Sequence, residues 1–158
     1  MPQSPHAAAA TPVTEVIFYQ DVPDAGRFAC ALAAQAYQQG RQVIVYVDNR
    51  QAAIDFEALL WHYDQLSFVP HVLSDSPLAA QTPVIIVAAD QAEKQRAAGD
   101  LFINLSCQVP DGFGACRQLL ELVPMAESQR QPAREKWRHY RNAGVHPRAV
   151  RADGAGRR

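Results

Sequence analysis

The most unusual side chains in this sequence lie near its C-terminus, where arginines flank a tryptophan. Arg130, Arg134, Trp137 and Arg141 follow one another at spacings of 4, 3 and 4 residues. In an α-helix these spacings place all four within an arc of roughly 60°, so they form one stripe. Guanidinium groups bind carboxylates through paired hydrogen bonds, and an indole beside them adds a flat apolar surface. The stripe therefore indicates a site for an acidic ligand with an apolar end.

The alternative is a solvated helix face whose tryptophan is turned into the core. The predicted helix, residues 127–142, contains only two acidic residues, Glu127 and Glu135. Ordinary exposed helices mix both signs, so this near absence of acids favours a binding surface. Lys136 and Arg138 are expected to widen the basic region.

The net charge of −1 conceals a strong asymmetry along the chain. Residues 1–126 contain 6 basic and 13 acidic residues, a charge of −7, whereas residues 127–158 contain 9 basic and 3 acidic residues, a charge of +6. Single-stranded DNA is one possible ligand for the basic helix. Because the acidic body would repel a long phosphate backbone, the pattern favours a short acidic peptide and predicts weak or no direct contact with DNA.

A second candidate surface is aromatic and apolar, and it lies in the sequence LLWHY at 59–63 followed by SFVPH at 67–71. Trp61 and Phe68 could anchor a permanent protein partner. The alternative is a satellite cluster that packs a helix end onto the sheet. Pro70 argues against a central strand at this point and is consistent with a sheet edge or a connection.

Signs of catalysis are nearly absent. The chain contains neither GxGxxG nor GxxxxGK[ST], and its five histidines show no metal-ligand spacing. Gly112-Phe113-Gly114 is open to two interpretations, a turn or a vestigial anion-binding nest. Asp48 resembles a ribose-binding acid, but a helix cap is the favoured role because Asp48 and Asn49 precede a predicted helix. We expect no cofactor and no metal, although a nucleophilic pair formed in space stays possible.

The elements that must position these residues alternate between strand and helix. A chain of 158 residues with 48% hydrophobic residues fits one domain with a real core. Strands are predicted at 13–19, 42–47, 84–88, 101–105 and 120–124, and helices at 27–39, from 48 or 49 to about 61, at 113–120 and at 127–142. Residues 90–99 are expected to form a loop or short helix. The βαβα start predicts an α/β fold of three layers, with a mostly parallel sheet and helices on both faces.

The predicted organisation has three parts: a flexible N-terminal extension at 1–12, a single α/β domain at 13–145, and a flexible basic tail at 146–158. The sequence shows no apolar run near the roughly 18 residues of a membrane helix and no secretory signal. Three widely spaced cysteines, Cys30, Cys107 and Cys116, indicate reduced thiols and a cytoplasmic location.

With these segments identified, the chain resembles the chi subunit of bacterial DNA polymerase III holoenzyme. The resemblance runs from about residue 17 to residue 144. It rests on Phe18-Tyr19, on ALLW at 58–61 and FVPH at 68–71, on LVP at 122–124, and on AREKWRHYR at 133–141 followed by Ala143-Gly144.

The resemblance implies a non-catalytic accessory protein with a nucleotide-binding-like fold that lacks a phosphate loop. Family members bind the psi subunit, which links them to the clamp loader, and the acidic, Phe-terminated tail of single-stranded-DNA-binding protein (SSB). The residues that match the tail-binding region are Val123, Arg130, Arg134, Trp137 and Arg141. Those that match the psi-facing region are Trp61, Phe68 and Pro70. A diverged nucleotide-binding α/β enzyme and a direct single-stranded DNA binder stay as alternatives.

One departure from the family pattern affects the site. Pro132 lies inside what the family would make a single helix, between Arg130 and Arg134. A proline in a helix interior removes a backbone donor and clashes with the carbonyl four residues earlier. We therefore expect a kink or a restart of the helix at this point.

Overall fold

Seven parallel strands form the centre of this protein in a computed structural model, which describes residues 14–63, 69–90, 100–110 and 112–152. The strands are β1 (Glu15–Val22), β2 (Val43–Val47), β3 (His71–Leu73), β4 (Val84–Ala88), β5 (Leu101–Asn104), β6 (Gln118–Pro124) and β7 (Arg148–Arg151). Their order across the sheet is β3-β4-β2-β5-β6-β1-β7. Within these ranges three α-helices accompany the strands, α1 (Ala25–Gln38), α2 (Arg50–Tyr63) and α3 (Arg130–Asn142). The predicted α/β class with a parallel sheet is confirmed.

The central strands are continuous apolar runs because both faces of the sheet are covered. On one face, α1 and α2 pack against alternate strand residues such as Val45 and Ile103. On the other face, α3 packs against the intervening residues, among them Phe18 and Leu119. The result is the expected three-layer arrangement.

Short polar side chains begin the first two helices. The Asp24 carboxylate accepts a hydrogen bond from the backbone N–H of Arg27 and caps α1. The amide oxygen of Asn49 accepts one from the N–H of Ala52 and caps α2. The favoured assignment of Asp48 as a cap was therefore wrong, because its carboxylate instead accepts the backbone N–H of Cys107 at 2.8 Å.

The helix predicted at 113–120 was also wrong. Residues Phe113–Ala115 form a single 3-10 turn, and the chain then enters β6, which pairs with β5 on one side and β1 on the other. The apolar residues here fit the spacing of a helix as well as that of a strand. The segment is a strand because β1 and β5 lie on either side of it, and their backbone groups hydrogen-bond with it. The strand predicted at 120–124 is real, and it is an interior strand that begins two residues earlier.

The tail predicted to be flexible from residue 146 needs correction as well. Residues 148–151 form β7, which pairs in parallel with residues 17–20 of β1. An ion pair between Arg148 and Glu15, at 2.9 Å, joins the two strands, and Ala152 beyond them is buried. The folded unit therefore extends at least to residue 152. The predictions for residues 1–12, Phe68, 91–99 and 153–158 lie outside the described residues.

Pro132 does not interrupt α3, contrary to the expected kink. A 3-10 turn at Glu127–Gln129 precedes the helix, which begins at Arg130 and ends at Asn142 before Gly144 with a φ of 90°. Pro132 is therefore in the first helical turn, where backbone N–H groups lack a partner inside the helix in any case. Arg130 and Arg134 share one regular helix. In the described part of the chain, no helix is long and apolar enough to span a membrane.

Candidate ligand-binding cleft

A cleft of about 740 Å³ lies between α3 and the carboxyl ends of two adjacent strands, β1 and β6. In open α/β sheets this is the end of the sheet where ligands are usually bound. The cleft contains all five residues of the predicted tail-binding region, although two of the three elements that form it are more than 100 residues apart. Its lining comprises Phe18, Gln20, Asp21, Val123, Pro124, Arg130, Ala133, Arg134, Trp137, Arg138, Arg141 and Asn142.

The floor of the cleft is apolar and aromatic. The rings of Trp137 and Phe18 lie 5.0 Å apart between centroids at an interplanar angle of 56°, a tilted contact of the kind that aromatic pairs favour. Val123 is 9% exposed beside them. Trp137 is half-buried, so it contacts the sheet and still lines the cleft. Its position therefore differs from the alternative expectation, a solvated helix face whose tryptophan is turned into the core.

The rim of the cleft is cationic. Arg134, Arg138 and Arg141 are exposed, and within the described residues none of them has an acidic partner in ion-pair range. Arg130 contacts Glu127 only loosely, at 3.9 Å, and more than half of each side chain remains exposed. Exposed guanidinium groups that face one cavity attract anionic ligands, and a floor of low polarity strengthens that attraction.

Lys136 does not widen this basic rim, contrary to expectation. Its side chain is 9% exposed and points to the sheet, where Nζ lies 2.7 Å from Oε1 of Glu121, a carboxylate that is wholly buried. Tyr140 donates its hydroxyl to the other oxygen of Glu121 at 2.5 Å. Burial, and then the negative charge of Glu121, raise the pKa of Tyr140, so that it stays a donor. The basic stripe is thus narrower than the sequence suggested.

Several cleft residues were not found by sequence reasoning. Phe18 and Gln20 come from β1, and Asp21 follows them with a φ of 58°, a left-handed conformation unusual for a residue other than glycine. The pairing of β1 with β6 shifts register between Tyr19 and Val22, which bulges the strand at Asp21. Phe18 was noticed as part of the resemblance, but no spacing signal connected this strand with a helix far away in the chain.

The two segments considered for phosphate binding have other roles in this structure. The N-terminus of α1, where phosphates would lie, is capped by the Asp24 carboxylate. The Gly112-Phe113-Gly114 segment is a turn that inserts Phe113 against Tyr140, with 5.1 Å between ring centroids. Among the described residues, no group of three or more His, Cys, Asp or Glu side chains could hold a metal ion.

The second predicted surface is only partly described. Trp61 is 55% exposed near the end of α2, and its ring lies edge-on to His71 with centroids 5.2 Å apart. Pro70 is half-buried just before β3, the edge strand. Val69 and Leu60 are buried and hold this corner onto the core. Trp61 is therefore more exposed than the alternative of a satellite cluster, with the residue packed onto the sheet, predicts.

Comparisons with known protein sequences identify relatives over most of this chain. Residues 13–148 match the family described as DNA polymerase III chi subunit, HolC. The DNA polymerase III subunit chi of Haemophilus influenzae is 32% identical over 116 residues, which cover 73% of this chain and 79% of that protein. That of Pseudomonas aeruginosa is 31% identical over 137 residues, or 84% of this chain and 92% of the relative.

A structural neighbour supports the fold alone. The C-terminal domain of the DEAD-box protein Dbp5 superposes with a TM-score of 0.58 at 11% identity, covering 90% of this chain and 92% of the neighbour. Such distant likeness says nothing about a shared ligand, because one α/β fold hosts many unrelated functions.

Proposed function

This chain belongs to the DNA polymerase III chi subunit family, accessory subunits of replication, and from that premise we propose that it is a non-catalytic adaptor. On one side it binds the acidic, Phe-terminated C-terminal tail of SSB. On the other it binds the psi subunit and through it the clamp loader. The observation that carries the proposal is the convergence of Val123, Arg130, Arg134, Trp137 and Arg141 on one cleft.

The cleft suits such a tail in both of its chemical features. Arg130 and Arg134 hold the acidic side chains or the terminal carboxylate through charge-assisted hydrogen bonds, each worth about 1.5–3 kcal/mol. Val123 and Trp137 receive the terminal aromatic ring on the apolar floor. A short peptide needs only this local patch of positive potential, so the acidic remainder of the molecule does not oppose it.

The two proposed surfaces are far enough apart to be occupied together. Trp61 is on α2, which covers one face of the sheet, whereas the cleft lies under α3 on the opposite face. Edge strand β3 is four positions from β6, or about 19 Å at the usual strand spacing. Separate surfaces are what an adaptor requires, since one partner must not displace the other.

The first test removes one guanidinium from the rim. Arg134→Ala should weaken the affinity for an acidic peptide ending in phenylalanine about tenfold or more, measured by calorimetric titration at low salt. Because Arg134 is exposed, the melting temperature should stay at the parent value. Arg117→Ala is the matched control, since Arg117 is also exposed but lies at the opposite, amino-terminal end of β6.

Two results would contradict the tail-binding assignment. One is an unchanged affinity of Arg134→Ala at low salt. The other is a thermal shift of the protein with ATP, GTP or NAD but none with the peptide, which would support the nucleotide-binding alternative.

The second test addresses the surface around Trp61. Trp61→Ala should prevent co-purification with psi, because an exposed indole of this size is a typical anchor of a protein interface. Phe68→Glu is expected to act in the same way. Peptide binding at the cleft should survive both changes. If psi binding, peptide binding and the melting transition were all lost together, Trp61 would instead be a structural residue.

A further inference from the structure

The buried side of α3 is fastened to the sheet through one carboxylate. Both oxygens of Glu121 are used: Oε1 pairs with Lys136 Nζ at 2.7 Å, and Oε2 accepts from Tyr140 at 2.5 Å and from the side-chain amide of Asn104 at 2.9 Å. Lys136 also donates to the backbone carbonyl of Ser106 at 2.9 Å. Two charges and their hydrogen bonds therefore occupy the layer between helix and sheet.

The helix has few apolar residues of its own to pack there. Apart from Pro132, only Ala133, Trp137 and Tyr140 of its 13 residues are apolar. In the described part of the chain no side chain caps its start at Gln129. These three residues form one narrow apolar stripe, which packs into the core on the α3 side of the sheet. The bonds to Glu121 add directional attachments beside that stripe.

Stability alone does not account for a buried ion pair, since apolar residues of similar volume are often as stabilising or more so. The pair also restricts the orientation of α3 relative to the sheet. Lys136 and Tyr140 are one turn apart and reach the two oxygens of one carboxylate, which fixes α3 both along its axis and in rotation. Both side chains lie roughly 90–130° around the helix from the arginine stripe.

Rotation of α3 decides where the cleft arginines point. A turn of about 20° about the helix axis moves side-chain atoms about 5–6 Å from the axis by about 2 Å. Binding groups must be held within about 0.5 Å and 10–20° of their productive geometry, so such a rotation would disrupt paired guanidinium–carboxylate contacts.

We propose that Glu121 is a positioning residue of the cleft, which acts through Lys136 and Tyr140 to hold α3 in the orientation that brings Arg130, Arg134 and Arg141 over Val123. The inference rests on the proposed function, because the ligand it concerns is the acidic peptide. Glu121 itself does not line the cleft, so its role is one of position and not of direct binding.

The test replaces the network by apolar groups of similar size. The triple variant Glu121→Met/Lys136→Met/Tyr140→Phe removes one charge of each sign, so the net charge is unchanged and no buried charge is left alone. We expect a melting temperature near that of the parent, a peptide affinity at least about fivefold lower, and faster amide hydrogen exchange in residues 130–142. Parent affinity in a folded triple variant would overturn the inference.

A milder variant covers the case in which the triple variant does not fold. Tyr140→Phe keeps the ring that packs on Phe18 and removes one of the two anchoring bonds. It should lower the affinity about two- to threefold with faster exchange in α3, and parent behaviour in both measurements would overturn the inference.

The parent and Arg134→Ala chains, titrated in parallel, separate the two hypotheses. Loss of binding in Arg134→Ala but not in the network variants contradicts the positioning role alone. If the parent does not bind the peptide, the tail-binding proposal fails, and the exchange of residues 130–142 still decides whether Glu121 anchors α3.

Discussion

Among the described residues that line the cleft, Asp21 is the one acid beside four arginines. Its φ of 58° at the β1 bulge turns the chain there, and Asp and Asn tolerate this conformation better than most residues. A carboxylate at this position opposes the binding of anions close to it. It therefore favours ligands whose negative charges lie along α3 and away from β1.

Asp21→Asn should raise the affinity for the acidic peptide about two- to fivefold at low salt and less at high salt, because it removes a repulsive charge without changing the turn. Asp24→Asn is the matched control: it changes the net charge equally, lies outside the cleft, and an asparagine still caps α1. Equal gains in the two variants, measured by titration against ionic strength, would attribute the effect to net charge alone.

Two buried thiols should make the free energy of unfolding decrease with pH in the alkaline range. Burial raises the pKa of Cys30 and of Cys116 to about 12, above the ordinary value of 9.0. The folded state then retains protons that the unfolded state loses, so stability is full below about pH 9 and falls as pH rises toward 12.

The denaturant midpoint should accordingly decrease between pH 9 and 11, and the decrease should be shallower in Cys30→Ala. An identical slope in the parent and Cys30→Ala would show that this thiol is ionised as readily in the folded chain as in the unfolded one.

At the scale of elements, buried strands were the easiest to predict. The strand predicted at 84–88 matches β4, and that at 42–47 differs from β2 by one residue, because a short apolar run between turn residues is typical of a strand buried on both faces. The helix predicted at 113–120 failed because its local spacing fits both structures. The segment forms a strand because β5 and β1 lie on either side of it and pair with it.

Strand β7 was missed for a related reason. Its sequence, RAVR, is polar at both ends and mostly exposed, as expected of a short edge strand, so it has no apolar periodicity to detect. Its partner β1 is more than 100 residues earlier in the chain. Pairing between Ile17 and Arg148 depends on the tertiary fold that brings them together.

A chain ending at Pro147 should melt at a lower temperature than the parent and aggregate more readily, since β1 would become an unprotected edge and the buried Ala152 would be lost. A chain ending at Ala152 keeps all of the β7 pairing and is expected to melt with the parent. Equal melting of both truncated chains would mean that β7 contributes nothing to stability.

At the scale of the whole molecule, the charge asymmetry determines which anions can approach. The four cleft arginines are concentrated on one face of α3, whereas residues 1–126 have a charge of −7. Burial of Lys136 against Glu121 further reduces the basic area. The positive potential is therefore local and fits a short ligand better than a long polyanion.

We expect single-stranded oligothymidylate to bind at least about tenfold more weakly than the acidic peptide near 0.15 M salt, because only a few phosphates reach the cleft while others face the acidic body. Fluorescence anisotropy with both ligands over a range of salt concentrations would measure this. Tight DNA binding with a steep salt dependence and no need for the peptide would favour the direct DNA binder.

Local patterns in the chain were enough to identify the arginine stripe, the buried strands, the α/β class and the family resemblance, because helix and strand periods act over a few residues. Long-range packing determined the rest: the β1 residues Phe18, Gln20 and Asp21 in the lining of the cleft, the removal of Lys136 from the basic surface, and the addition of β7. Each of these depends on residues of different elements that the fold brings together. Burial and hydrogen bonding to such neighbours have no signature in a short window of sequence, and they decided which of the basic residues line the cleft.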